Sequence, residues 1–378
     1  MKFQYSFSPL ITIISKLMPV YDYLKILLSG ANVVIHGSNY TTNVGDRAIA
    51  LTIKNELKKK RIRSVITSRF AINPPVRTVI VGGGGVLHNN YENNIKLRTS
   101  FIKRKRNVFY VGVGSSGFSK LSSGDKERLN KLRYSKYLSF RDVCSFEKLA
   151  AQLYSKPPNV KIRSCPSWLL LENIKSQDYS LRNNVFRSYY NLKYLASSKQ
   201  TKQADQKPNL GLVLCGHFDL QRLPAIRQKI KQLQNDYHII NIPFVGEDLE
   251  FFKKHIANWN IDSFPLQNPG KTFQLVQKMD KMIVTRYHSL IFSILAEKPV
   301  MILAYSEKVR CLAKDLKLNY YDLLGNTEEN MIFNHFGPGL SESKKKAARL
   351  QMQELFAGLE KSTNPDNKAS SLVESTFK

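Results

Sequence analysis

Cysteine is scarce and scattered: Cys144, Cys165, Cys215 and Cys311 are the four such residues in a chain of 378. No CxxC pair occurs, so neither a cysteine zinc site nor a disulfide framework is signalled. Reduced thiols in a cytoplasm are the expected state. Acidic residues are also in short supply, 29 against 58 basic ones, which leaves a formal charge of +29. That surplus is silent about fold but favours anionic partners such as an acidic membrane surface or a phosphorylated, lipid-linked glycan. No nucleic acid is expected as a partner, because no basic segment is interleaved with aromatics in a recognition-module pattern. An unbroken apolar run is missing too. The most apolar stretch, residues 8–29 (SPLITIISKLMPVYDYLKILLS), is interrupted by Lys16, Pro19, Asp22 and Lys25, whereas a membrane-spanning helix needs about 20 mostly apolar residues. No A-x-A cleavage site follows it, which argues against a cleaved signal peptide.

What is present is an alternation of short apolar runs and helical stretches. Hydrophobic residues make up 42% of the chain, enough for two cores. Leu10, Ile14, Leu17, Tyr21, Leu24 and Leu28 share one face at helical spacing, which predicts a helix docked on the protein's own core, with a membrane surface as the alternative. Residues 32–36 (NVVIH), 78–81 (TVIV), 108–113 (VFYVGV) and 136–141 read as strands, with helices over 48–60 and 145–154. Residues 177–208 are polar and rich in Ser, Gln and Lys, and read as an interdomain linker or insertion. The alternation restarts with strands at 210–215, 238–243, 281–285 and 299–304 and helices at 223–236, 247–257, 272–279, 289–296 and 307–316. Apolar runs separated by helices indicate parallel sheets covered on both faces. The expected fold class is therefore α/β, with two Rossmann-like domains facing a cleft. The boundaries are an amphipathic segment at 1–30, a first domain at 31–176, the linker at 177–208, a second domain at 209–325, and a helical segment and polar tail at 326–378.

Ligands of such sheets bind beyond the carboxyl ends of the strands, so the turns there carry the candidates. Gly37 to Asp46 (GSNYTTNVGD) opens a helix and offers free backbone N–H groups to an anion or a polar ligand. Asp46 is either a favourable charge at a helix start or a carboxylate that binds or activates a sugar hydroxyl. Val81 to Leu87 (VGGGGVL) places Gly83 and Gly84 where backbone can approach a ligand closely, and His88 and Asn89 follow. No GK[ST] completes a Walker loop. Val284 to Leu290 (VTRYHSL) brings Arg286 and His288 to a strand end and a helix start, where a guanidinium fork and an imidazole suit a carboxylate or phosphate. Arg141, in Ser139-Phe140-Arg141-Asp142, stands at a strand end of the first domain. Two arginines, one per domain, can hold a small dianion across the cleft.

In this order the motifs resemble those of the polysaccharide pyruvyl transferase family. The matching pieces are NVGD (Asn43 to Asp46), VGGGG (Val81 to Gly85), VGVGSSGF (Val111 to Phe118), SFRDVCS (Ser139 to Ser145) and RYHSLIFSILAEKPV (Arg286 to Val300). The resemblance implies a glycosyltransferase-B-like pair of domains that moves pyruvate from phosphoenolpyruvate onto a sugar, as a ketal. The acceptor it implies belongs to a cell-surface polysaccharide or to its lipid-linked oligosaccharide precursor. It associates Arg286 and His288, and an arginine placed at Arg141, with the donor. Read from the residues themselves, Gly83 and Gly84 join the donor side, His288 and Asp46 are the catalytic candidates, and Asn43, His88 and Asn89 belong to the acceptor side. No cofactor and no metal are implied, and the expected location is cytoplasmic, peripheral at the inner face of the membrane. One departure stands out: where members of the family commonly have Asp-Pro, this chain has Cys165-Pro166. The rival readings are a nucleotide-sugar glycosyltransferase on the same domain plan and a non-catalytic polyanion-binding protein.

Overall fold

The structure is a computed structural model. It describes residues 9–363 except 38–41, 68–75, 83, 85–86, 88–93, 104–106, 116–121, 153–159, 174–180, 196–206, 218–219 and 326–330. The first sheet holds β1 (Val33–His36), β2 (Ser64–Thr67), β3 (Thr78–Gly82), β4 (Asn107–Val113), β5 (Tyr137–Phe140) and β6 (Val160–Ile162). They are all parallel, in the order β2-β1-β3-β4-β5-β6. The second holds β7 (Asn209–Val213), β8 (His238–Asn241), β9 (Asp262–Ser263), β10 (Lys281–Val284), β11 (Val300–Ala304) and β12 (Tyr321–Asp322). These are parallel in the order β12-β11-β10-β7-β8-β9.

The central strands are nearly continuous apolar runs because both of their faces are covered. In β3 the alternation is visible: Ile80 joins the core that includes Ile49 and Ile53, while Val79 and Val81 join a second core with Ile95, Phe101 and Leu129. The outer strands β2, β6, β9 and β12 are short and carry polar residues such as Lys161, Asp262 and Asp322, so they give no such signal.

Helices connect the strands. The first lobe carries α1 (Pro9–Ser29), α2 (Val44–Lys59), α3 (Asn94–Lys103), α4 (Ser123–Asn130), α5 (Val143–Ala150) and α6 (Leu170–Asn173). Next comes α7 (Leu181–Leu195), within the expected linker, and it is no loose tether. Phe186 and Tyr190 are buried, and Asn191 exchanges two hydrogen bonds with the backbone of Leu266. The second lobe adds α8 (Leu223–Leu233), α9 (Gly246–His255), α10 (Pro269–Gln277), α11 (Tyr287–Leu295) and α12 (Glu307–Asp315). Finally α13 (Gly339–Thr363) returns to the first sheet. There Met352, Leu355 and Leu359 are buried, and Glu354 meets Tyr137 Oη and Lys161 Nζ, each at 2.9 Å. The tail expected after residue 363 lies outside the described residues.

Two expectations are corrected. Cys144 and Cys311 form a disulfide, with their Cα atoms 6.3 Å apart. They lie 167 residues apart, in α5 of the first lobe and α12 of the second, so no local spacing announces the pair. Lys148 and Glu307 form an ion pair between the same two helices. Cys165 and Cys215 remain free and buried. The second correction concerns α1. Its apolar stripe does not dock inward: Leu17, Tyr21, Leu24 and Leu28 are exposed, while Asp22 and Ile26 on the opposite side are buried. The expected docking positions Leu10 and Ile14 have side chains outside the described ones. No helix among the described residues is long and apolar enough to cross a membrane.

Candidate active site

In each sheet the strand order reverses at one place, between β1 and β3 in the first and between β7 and β10 in the second. Crevices open at such points, beyond the carboxyl ends of the strands. In the first lobe α2 begins just past β1, and Asn43 caps it: its Oδ1 accepts from Gly45 N at 2.9 Å and from Asp46 N at 3.2 Å. That fixes Asp46 in the first helical turn, where backbone N–H groups favour a negative charge. Gly84, after β3, has φ +66°, and a Cβ there would collide with the Asp46 carboxylate. The glycine therefore lets the β3 turn close directly over Asp46.

The second lobe contributes the β10–α11 junction. Thr285 Oγ1 accepts from Cys215 N at 3.1 Å and donates to Val213 O at 2.9 Å, which ties the ends of β7 and β10 together. Arg286 is the N-cap of α11, and Ser289 Oγ accepts from its backbone N–H at 3.2 Å. The guanidinium lies on Asp248: Nε is 2.9 Å from each carboxylate oxygen, and Nη2 also donates. Asp248 is itself fixed, because its Oδ2 accepts from Phe244 N at 2.9 Å and Val245 N at 3.1 Å. Burial opposes the charge on Arg286, but the attraction of Asp248 more than offsets it, and the pKa stands above the ordinary range. Around this pair, burial followed by Arg286 pushes His217 down, and burial pushes Glu247 up.

His288, one turn-step further on, points across to the first lobe. Its ring lies against Gly45, where a Cβ would overlap Nδ1, and its Nε2 is 3.8 Å from Cys165 Sγ. Ser167 Oγ donates to that sulfur at 3.1 Å. Burial pushes the Cys165 thiol up. Burial, then Arg141, Lys308 and Arg286, push His288 well below its ordinary value. In the substrate-free protein the imidazole is therefore neutral at pH 7.

Arg141 extends from the end of β5. Its carbon Cζ lies 4.1 Å from the centre of the Tyr287 ring, a cation–π contact from one lobe to the other. Nε reaches Asp142 Oδ2 at 3.2 Å, while Asp142 Oδ1 caps α5 by accepting from Ser145 N at 2.6 Å. Gly114, after β4, leaves room for the guanidinium, which a Cβ there would strike. Arg141 is 4% exposed, and its Nη2 has no hydrogen-bond partner among the described residues. Buried donors are rarely left in that state. Nearby, Val44 N donates to Phe244 O at 2.9 Å and Gly246 N to Thr42 Oγ1 at 2.8 Å, stitching the lobes together beside the site.

Of the residues expected from sequence, the structure groups Asp46, Gly84, Arg141 and His288, with Arg286 on the facing lobe. Asn43 holds the α2 cap. Gly83, His88 and Asn89 lie outside the described residues. Sequence reasoning missed Asp248, Tyr287 and Gly45. Asp248 follows a turn with no glycine run, Tyr287 reads as part of an apolar helix start, and only the fold reveals that Gly45 faces His288. Among the described residues, no group of three or more His, Cys, Asp or Glu is placed to hold a metal ion.

Fold and site together define a two-lobed, glycosyltransferase-B-like α/β protein, with basic side chains of both lobes meeting at the crevice. The chain belongs to the polysaccharide pyruvyl transferase family, whose profile matches residues 43–307, and it is a transferase. No curated protein matches the chain at a significant level. Solved structures resemble it in fold. A Listeria monocytogenes protein provisionally described as UDP-N-acetylglucosamine 2-epimerase has a TM-score of 0.50 at 10% identity, covering 88% of this chain and 96% of its own. UDP-GlcNAc 2-epimerase of Methanocaldococcus jannaschii gives 0.49 at 12% identity, over 83% of this chain and 98% of its own. WaaG, a glycosyltransferase involved in lipopolysaccharide biosynthesis, gives 0.41 at 13%, over 88% and 96%.

Proposed function

We propose that the enzyme transfers pyruvate from phosphoenolpyruvate to two hydroxyls of one sugar, forming a ketal on a cell-surface polysaccharide or its lipid-linked precursor. The observation that carries this reading is the buried Nη2 of Arg141, a charged donor without a partner among the described residues, beside an imidazole that touches both lobes. Arg141 and Arg286 bind the carboxylate and phosphate of the donor and stabilise the charge that grows on phosphate as it leaves. Gly83 and Gly84 are assigned to donor binding.

The reaction balances without an added group. The methylene carbon of the enol gains a proton, a sugar hydroxyl attacks the adjacent carbon, phosphate departs, and a second hydroxyl closes the ring. Of the two hydroxyl protons, one replaces that delivered to the methylene and the other leaves with phosphate. The donor's negative charge offsets the neighbouring cations and raises the His288 pKa, so the imidazole becomes protonated on donor binding and can deliver that proton. Asp46 accepts the proton of the attacking hydroxyl. Asn43, His88 and Asn89 are assigned to the acceptor. No cofactor enters. The enzyme works peripherally at a membrane surface.

The test is release of inorganic phosphate from phosphoenolpyruvate with galactose- or mannose-containing acceptors. Stoichiometric phosphate and a new pyruvyl ketal are expected. Turnover of a nucleotide sugar, with phosphoenolpyruvate inert, would transfer the assignment to a glycosyltransferase.

A further inference from the structure

The outer face of α1 has no role in the chemistry above, and it is built for an interface. Val20, Tyr21, Leu24, Leu27 and Leu28 form a continuous stripe with Leu17, since steps of three and four residues keep to one side of a helix. Leu17 is 62% exposed, Leu24 50%, Leu27 52% and Leu28 88%. The helix is held from the other side, where Asp22 and Ile26 are buried and Ile26 packs with Ala31, Val34 and Val65. Scattered exposed leucines need no explanation, but an apolar stripe on one helix does.

What adjoins the stripe identifies its occupant. The chain leaves α1 at Gly30, and a Cβ there would lie 3.1 Å from Arg63 Nη1. The backbone carbonyl of Arg63 accepts from Asn32 N at 3.0 Å, so the segment before β2 runs against the end of α1. That segment is the run Lys58, Lys59, Lys60, Arg61 and Arg63, all exposed. An apolar stripe bordered by clustered cations matches the boundary between acyl chains and anionic headgroups.

We infer that α1, with the Lys58 to Arg63 run, docks the first lobe on an anionic lipid bilayer, lying in its surface rather than crossing it. This extends the membrane placement proposed above and names the surface that makes it. The basic run sits at the amino-terminal ends of β1 and β2, away from the crevice at their carboxyl ends. Binding and turnover can therefore fail independently.

The experiment is flotation of the full chain with vesicles of phosphatidylcholine alone and of phosphatidylcholine with phosphatidylglycerol. Flotation is expected with the anionic vesicles, weakened by salt, and little with the zwitterionic ones. Leu24→Glu with Leu28→Glu should lower partitioning on the order of tenfold or more, because both side chains lose their burial in lipid. Lys58→Glu with Arg61→Glu should lower it by about fivefold for each charge removed. Lys231→Glu with Lys254→Glu, an equal charge change on the other lobe, should have far less effect. All four leucine and basic positions are exposed, so the melting temperature should hold. The inference is overturned if the wild type does not float, if the leucine pair floats like wild type, or if both charge pairs weaken flotation equally. It is also overturned if the leucine pair instead converts a dimer to a monomer with vesicle binding unchanged, since the stripe would then be a self-interface.

Discussion

Replacing Arg141 with Ala should lower kcat/KM for the donor by about three orders of magnitude, the upper range for losing one preorganised charged donor. The expectation rests on its geometry: Tyr287 supports one face of the guanidinium, Asp142 holds Nε, and Nη2 is left for a ligand. Arg141→Lys should recover little, because a point charge on a flexible stem cannot keep both contacts while presenting a second donor. The fold should survive both changes, since Asp142 continues to cap α5 through Ser145 N. Single-turnover phosphate release, read beside circular dichroism, checks this. Turnover within a factor of about ten of wild type would mean that Arg141 does not meet charge developing in the transition state.

The largest expected effect on stability belongs to a residue that does no chemistry. Asp248 is 1% exposed and satisfies Arg286 together with the backbone N–H groups of Phe244 and Val245. Asp248→Ala leaves a nearly buried guanidinium and two amides unpaired, and breaking such a pair from one side costs about 3–5 kcal/mol. Asp248→Asn keeps an oxygen for the amides and should cost clearly less. Urea unfolding of the two variants separates these outcomes, and equal midpoints for Asp248→Ala and wild type would show that the pair holds nothing in place. Asp248→Asn also frees Arg286 from its fixed pose, so its KM for the donor should rise while the fold persists.

The architecture was legible in the sequence wherever strands are buried on both faces. VVIH, TVIVG, KMIV and VMILA are mostly apolar because nearly every residue in them is buried, Lys281 at the start of KMIV being the partly exposed one. The edge strands VKI, DS and YD are only partly covered, so their composition is that of loops, while SVIT is buried at three of its four residues but too short to stand out. Asp46, Arg141, Arg286 and His288 were legible because each follows an apolar run at a place where a parallel sheet ends in a crevice. The partners that tune them were not. Cys165 and His288 are separated by 123 residues, and Arg286 and Asp248 by 38. Such pairs are set by lobe packing, which no local pattern encodes. The same reason hides the Cys144–Cys311 bridge. On α1 the periodicity was read correctly and its direction was not: helical spacing defines a face, and whether core or solvent lies beside that face is decided elsewhere in the chain.

The most direct measurement is calorimetry of phosphoenolpyruvate binding in buffers of different ionisation enthalpy near pH 7. Burial and the cations Arg141, Lys308 and Arg286 hold His288 neutral in the free protein, with its pKa lowered. A bound dianion offsets the cations' share of that lowering. For His288 to deliver a proton this must outweigh burial, so that the complex gains a proton and affinity falls as pH rises through the pKa of the bound state. Uptake approaching one proton per donor, abolished in His288→Gln and strongly weakened with Arg141→Ala, is the predicted result. Binding with no proton uptake, or tight binding that neither substitution disturbs, would contradict it.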